Sequence, residues 1–377
     1  MGPYAYYFDA MASTPLAPDI QTRMAALLSD PQAIGNPAAT THQYGYHART
    51  LIEHARQQVA NCFNTTPDRW LWTSGATESI NLALQGVTRQ YRRQARQIIT
   101  FETEHPATLN TCRYLNHQGF DLKILPVDHF GRIDLDQLDA ALKTPTLLIS
   151  VLHVNNETGV IQDLDTICKL AQRTQTLVHV DAAQTTGRIK LDLQKTPAHL
   201  CSISAHKAYG PKGIGALYLT DAFPLKLSPL MFGGGQERSI RSGTAAVHQI
   251  VGLGMACELA QQHISSDHLR MKAYAKTVLD TLQHHQSVTL NGHPTHKVPH
   301  VLNLTFEHFN SEQLMAYLPR YAFSSSSACQ SGAHQPSPVL TAMGLTRKAC
   351  NHTIRIAFNR YHTDDDIQTF IKALETL

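Results

Sequence analysis

At 377 residues the chain exceeds the size of one ordinary domain, so two domains around sizeable apolar cores are expected. A hydrophobic content of 42% with a net charge of only +3 suits a soluble globular protein and gives no general electrostatic case for binding nucleic acid. No apolar run approaches the roughly 18 residues of a membrane helix. The opening residues 1–9 lack the basic region and apolar core of a signal peptide, so no membrane partner and a cytoplasmic location are expected.

In chain order, residues 4–18 read as an extended lead-in, followed by a helix from Pro18 to about Ser29 with Ile20, Met24, Leu27 and Leu28 on one face. Gly35-Asn36-Pro37 makes a loop, and a second helix is expected from about Ala48 to Cys62. Arg89, Arg92, Arg93 and Arg96 have the spacing that would place all four on one helix face. Between them and beyond runs a repeated pattern of short apolar runs ending in polar or glycine-rich turns. Trp70-Leu71-Trp72 precedes Ser74-Gly75-Ala76-Thr77, and residues 97–101 precede Glu104-His105. Residues 147–154 precede Asn155-Asn156-Glu157, and residues 177–180 precede Asp181 and Gln184. The run from Leu200 ends in Ser204, His206 and Lys207, then turns at Gly210-Pro211 and Gly213 into a second apolar run, 214–219. Strands alternating with helices imply an α/β fold with a mostly parallel central sheet flanked by helices, whose ligands bind beyond the carboxyl ends of the strands.

After Gly233-Gly234-Gly235 and Arg241 to Thr244, a helix-rich stretch runs from near His248 past Gln283, with a break expected around residues 264–267. The remainder reads as a smaller α+β unit, with strands at 301–306 and 353–358, a serine-rich loop at 324–331 that holds Cys329, and a final helix from Asp364. The domain division expected is 16–255 for the large unit, and 1–15 with 256–377 for the small one.

The seven cysteines form no Cys-x-x-Cys pair and the 22 histidines no His-Glu-x-x-His spacing, so neither a disulfide framework nor a metal site is read from them. The chemistry lies at the strand ends. Ser74-Gly75-Ala76-Thr77-Glu78 opens a helix, and the free N–H groups of a helix start suit a phosphate. Asp181 follows an apolar strand, and a buried carboxylate needs a cationic or donor partner. Lys207, at a strand end among small and hydroxylic neighbours, has the setting of an amine that attacks a carbonyl and forms a Schiff base. A phosphate site, an aspartate for a protonated pyridine nitrogen and a lysine are together what pyridoxal 5'-phosphate requires. His105 would cover the ring or shuttle protons, and Gln184 would donate to the ring oxygen.

On these residues the chain resembles the cysteine desulfurases of the NifS/IscS type, in the class V aminotransferase group of fold type I pyridoxal phosphate enzymes. The resemblance is carried by residues 73–78, Glu104-His105, 154–157 with 159–162, 179–181 with Gln184, 204–215, 233–238, 241–244, 327–329 and Ile354-Arg355. It implies that Lys207 carries the cofactor, that Asp181 meets its pyridine nitrogen, and that His105 stacks on the ring and transfers protons. Asn156 and Gln184 would contact the ring oxygen. The phosphate would lie on Gly75, Ala76, Thr77, Ser204 and His206, with Thr244 reaching it from the second subunit of a homodimer. Asn36 and Arg355 would hold the carboxylate of L-cysteine, Arg355 through a bidentate pair.

The implied reaction converts L-cysteine to L-alanine and leaves a persulfide on Cys329 for a sulfur-acceptor protein, in iron–sulfur cluster or thio-cofactor and tRNA pathways. The segment around Cys329 holds no cation to activate the thiol, so His105 is the first candidate for that role. A selenocysteine lyase, or another class V aminotransferase, is the alternative, and transamination would not need Cys329. The sequence departs from the family at Met11, Ser239, Ser326 and Gln330. It also ends at Leu377, without the longer tail that housekeeping members use to dock the iron–sulfur scaffold, which leaves scaffold delivery open.

Overall fold

The computed structural model describes residues 2–220, 225–285, 287–325 and 335–377. An irregular lead segment is followed by α1 (Pro18–Ser29) and α2 (Gln43–Cys62). The larger unit continues through β1 (Trp70–Thr73), α3 (Ala76–Tyr91), β2 (Gln97–Phe101), α4 (Pro106–His117), β3 (Asp121–Leu125), α5 (Leu135–Ala141), β4 (Thr146–Leu152), α6 (Leu164–Arg173), β5 (Leu177–Asp181), β6 (Leu200–Ser204) and β7 (Gly215–Leu219). A 39-residue helix, α7 (Val247–His285), leads to β8 (Val288–Leu290), β9 (Val301–Phe306), α8 (Ser311–Tyr317), β10 (Ser324–Ser325), α9 (Pro338–Ala342), α10 (Arg347–Asn351), β11 (Thr353–Ala357) and α11 (Asp364–Leu374).

The seven strands β1 to β7 form one sheet in the order β1-β7-β6-β5-β4-β2-β3, and β7 alone runs against both its neighbours. Alternation along the strands explains why both faces are covered. Ile99, Phe101, Val178 and Val180 pack into one apolar cluster with α2 residues Ile52 and Val59. Ile98 and Leu177 pack into another with α3 residues Ile80 and Leu84. Strands buried on both faces are the habit of parallel sheets. Four strands form the second sheet, β10-β11-β9-β8, which is antiparallel and packs against α7 and α11 through Met271, Val278, Leu304, Ile356 and Phe370. The expected mixed α/β architecture with a smaller α+β part is the one observed.

Three local expectations differ. No break occurs at residues 264–267, because Asp267, polar in sequence, is buried inside α7, where it accepts from Arg270 Nη2 at 3.0 Å and Arg360 Nε at 2.8 Å. The four arginines do not share a helix face. Helix α3 ends at Tyr91 to leave room for the turn into β2, and Arg96 lies beyond it with Nη1 donating to the Gly119 carbonyl at 2.8 Å. Strand β3 was not anticipated, since its alternating exposed and half-buried pattern is that of a sheet edge.

Residues 7–17 tie the two sheets together. Phe8 N donates to Ala322 O at 2.8 Å and Ala357 N to Phe8 O at 2.7 Å, on the small sheet. A few residues on, Thr14 N donates to His206 O and Ala17 N to Tyr209 O, both at 2.9 Å, beside the end of β6.

Candidate active site

The carboxyl ends of the parallel strands, the start of α3 and the lead segment enclose a cavity of about 550 Å³. Asp181, Lys207, His105, Gln184, Asn156, Ser204, His206, Gly75, Ala76, Thr77 and Arg355 all line it, drawn from six separate stretches of chain. Asn36 and Thr244 are exposed and lie outside this lining, and Asn36 Oδ1 caps its own loop by accepting from Ala38 N at 2.9 Å. Cys329, with Ser326 and Gln330, lies outside the described residues.

Close backbone approach builds the phosphate-sized corner. Gly75, the N-cap of α3, has φ +150° and no side chain to cap the helix, so the first N–H groups are left for a ligand. Gly215 of β7 lies against it: a Cβ at that position would fall 2.7 Å from Gly75 Cα and 2.5 Å from the Ile203 carbonyl. Glu78 completes the turn, accepting from Ser74 N at 2.7 Å through one oxygen and from Arg241 Nε at 2.8 Å through the other. Arg241 thereby brings the 241–244 segment up to the start of α3.

Asp181 ends β5, and its Oδ1 accepts from Ala183 N at 3.0 Å. Burial raises its pKa, while His105 and Lys207 pull it down. Lys207 sits in the turn between β6 and β7, and its Nζ donates to the carbonyls of Met11 at 2.9 Å and Ala12 at 2.7 Å. Gln184 Nε2 donates to the same Met11 carbonyl at 2.8 Å, and Gln184 Oε1 is buried without a hydrogen-bond partner among the described residues. His105 caps α4, its Nδ1 accepting from Ala107 N at 3.1 Å, so the neutral ring carries its proton on Nε2. Desolvation lowers its pKa, with Asp181 opposing and Lys207 assisting. His206 is pushed down to about 4 by desolvation and then by Lys207, Lys212 and Arg188, and it is therefore a neutral hydrogen-bonding group near Ser13 Oγ at 3.2 Å.

Several contributors carried no sequence signal. The carbonyls of Met11 and Ala12 are backbone atoms that any residue would supply. Arg188, fully buried, donates to the carbonyls of Lys207 at 3.0 Å and Ala10 at 3.0 Å and so fastens the lysine turn to the lead segment. Glu104 is buried beside His105, with Oε1 accepting from Leu152 N at 2.7 Å, and burial holds its pKa well above the usual carboxylate range. Its place in the Glu104-His105 pair was the one hint available.

The residues present suit pyridoxal phosphate. An uncapped helix start, a buried carboxylate with one backbone donor and an amine face one cavity, and those groups match the phosphate, ring nitrogen and aldehyde.

The chain matches the family described as aminotransferase class-V over residues 6–370, and it belongs to that family, whose members depend on pyridoxal phosphate. It is similar to the cysteine desulfurase IscS of Vibrio atlanticus (strain LGP32), at 42% identity over 96% of this chain and 89% of the relative. A second IscS, from Shewanella loihica (strain ATCC BAA-1088 / PV-4), is 42% identical over 98% and 91%. Among solved structures, a NifS-like protein superposes with a TM-score of 0.91 at 33% identity, covering 100% of this chain and 99% of its own. SspA, solved in complex with cysteine, gives 0.83 at 34% identity over 95% and 100%.

Proposed function

We propose that this protein is a pyridoxal phosphate-dependent cysteine desulfurase, which converts L-cysteine to L-alanine and keeps the sulfur as a persulfide on Cys329. The observation that carries the reading is the meeting of Lys207, Asp181 and Arg355 around one cavity: an amine, a carboxylate and a carboxylate anchor. Relatives at 42% identity over nearly the full chain are cysteine desulfurases, which supports the same choice of substrate.

When bound, the cofactor supplies an electron sink that spreads negative charge from the substrate α-carbon. Asp181 would hold the ring nitrogen through a buried carboxylate, in a site dry enough to make the charge effective. Lys207 would hold the cofactor's aldehyde, and its Nζ would take the α-proton and return it. Arg355 holds the substrate carboxylate. His105 presents its Nε2–H, and in that state it steadies a developing thiolate by donation instead of acting as its base. The Cys329 thiol takes the substrate sulfur, so that L-cysteine and a thiol become L-alanine and a persulfide, with no outside oxidant needed.

A homodimer belongs to the proposal. Thr244 and Asn36 are exposed away from the cavity of their own protomer, and large apolar side chains cluster in sequence beside them: Ile34, Tyr44, Tyr46, Met231 and Phe232 are all exposed. A sulfur-acceptor protein would then take the persulfide. No helix among the described residues is long and apolar enough to cross a membrane, and the six described cysteines are free thiols, which supports a reducing cytoplasm.

The test is to incubate purified protein with L-cysteine and measure sulfide and alanine. Cys329→Ala should keep the visible absorbance of bound cofactor and make little sulfide; Lys207→Ala should lose both. Full sulfide output from Cys329→Ala would overturn the persulfide route.

A further inference from the structure

The donors of Arg355 are unevenly occupied. Nη1 donates to the Asn156 carbonyl at 2.8 Å, and Nη2 donates both to Asp9 Oδ1 at 2.7 Å and to Ser324 Oγ at 3.2 Å. Nε is buried without a partner among the described residues. Asp9 Oδ1 also accepts from the Ser324 hydroxyl at 2.8 Å, so carboxylate, guanidinium and hydroxyl close a three-membered network at the cavity wall. The other acid beside Arg355, Glu157, uses its Oε2 to accept from Ser337 Oγ at 2.6 Å.

A carboxylate can grip a guanidinium at two points in two ways, across Nε and Nη2 or across Nη1 and Nη2. Both need Nη2, and Asp9 is already there. The Arg355 side chain is 3% exposed, so little water is present to screen the contest between two anions for one edge. Asp9 is held in place from both sides, since Phe8 N is bonded to Ala322 O and Ala10 N to Ala357 O.

We propose that Asp9 is a specificity-determining residue: an internal carboxylate that orients Arg355 and must be displaced from Nη2 by the carboxylate of the incoming substrate. The proposal rests on the reading of Arg355 as the substrate's carboxylate anchor. Asp9 gives the guanidinium its orientation before binding, which saves ordering cost when substrate arrives. It also lowers the apparent affinity by the fraction of time that Nη2 is occupied. A thiol amine without a carboxylate makes no use of Nη2 and meets no competition there, so the network narrows the preference for an amino acid over its decarboxylated analogue and leaves binding of the latter independent of Asp9.

The experiment uses holoenzyme and 3-mercaptopropionate, which carries a thiol and a carboxylate but no amine to react with the cofactor. Its affinity is read by calorimetry and as competition against L-cysteine, with Asp9→Asn compared to wild type. The amide keeps the size and the acceptor oxygen and removes the charge. The expected result is about 3- to 10-fold tighter binding of 3-mercaptopropionate, with KM for L-cysteine falling by a similar factor, kcat changing less, and cysteamine inhibition unchanged. Unchanged or weaker binding overturns the role given to Asp9. Arg355→Ala runs in parallel: if it weakens binding while Asp9→Asn does nothing, only the Asp9 proposal fails, and if it too has no effect, the carboxylate anchor itself is misassigned. Should Asp9→Asn not fold, Ser324→Ala removes the other partner of Nη2; tighter 3-mercaptopropionate binding then supports the proposal and no change overturns it.

Discussion

The Lys207 amine donates to the Met11 carbonyl at 2.9 Å, across 196 residues of sequence. The lysine is therefore held by the lead segment, and the same carbonyl takes a second hydrogen bond from Gln184 Nε2. Met11 and Ala12 thus form one wall of the cavity, fastened from behind through the Ala10 carbonyl by Arg188.

From this follows the behaviour expected of Lys207→Ala. The variant should lose the visible absorbance of bound cofactor after gel filtration, because no amine remains to hold it. Its Tm without cofactor should stay within about 5 °C of wild type, since the hydrogen bonds lost lie at a cavity wall and not in an apolar core. A collapse of the fold would show instead that the amine is chiefly a structural tie to Met11 and Ala12.

Asp181→Asn should separate stability from activity. The carboxylate is 2% exposed and accepts from the one backbone N–H of Ala183 through Oδ1, so replacing it by a neutral amide removes a buried charge and should leave Tm equal or higher. Turnover should fall by about 10²- to 10³-fold, because a preorganised charge has gone from the site. Parallel melting and sulfide assays check both halves.

Gly215→Ala tests the phosphate corner. The added Cβ would meet backbone atoms at 2.5 and 2.7 Å, which cannot rotate away as a side chain would. The end of β7 and the Gly75 turn must separate, and cofactor should dissociate roughly tenfold more readily, a loss of about 1.4 kcal/mol. Equilibrium dialysis against pyridoxal phosphate measures it.

The acid limb of stability should trace to buried histidines. His179 of β5 lies between Ser150 Oγ at 2.9 Å and Ser202 Oγ at 2.8 Å, and burial pushes it down to about 3. Its folded pKa lies below the unfolded one, so its contribution is complete above about pH 6.5 and is lost as pH falls toward 3. His153 and His362, both lowered to about 4, act in the same direction. Glu157, raised to about 7, acts in the opposite one, losing its contribution as pH rises. His179→Gln, which keeps hydrogen-bonding groups but does not titrate, should flatten the fall in stability between pH 6.5 and 4.5 by up to about 3 kcal/mol. An unchanged slope by denaturant titration would place the acid sensitivity elsewhere.

Much of this site was legible because its parts are written locally. A strand followed by Ser74-Gly75-Ala76-Thr77, a strand ending in Asp181 and a strand ending at Lys207 each announce a polar group at a sheet edge, and the period-2 pattern requires those edges to lie together. The helix expected from Pro18 to Ser29 is observed with those bounds, its proline at the first turn and its apolar spacing both local signals. Where neighbours in space decided, the local signal misled. Asp267 looked like an interruption until Arg270 and Arg360 are seen to neutralise it, and Arg96 looked helical until β2 is seen to require the turn.

By itself, then, the order of residues determined the fold class, the parallel sheet and the presence of Lys207, Asp181 and His105 at its carboxyl edge, since strand alternation and helix periodicity depend only on near neighbours in the chain. Tertiary structure alone decided what those groups touch. Asp9 meets Arg355 across 346 residues, and the Met11 carbonyl meets Lys207, because the lead segment hydrogen-bonds to the small sheet at Ala322 and Ala357 and then crosses to the turn after β6. A carbonyl oxygen and a shared guanidinium edge leave no mark in composition or spacing; they exist only once backbone hydrogen bonds have brought the two sheets to one cavity.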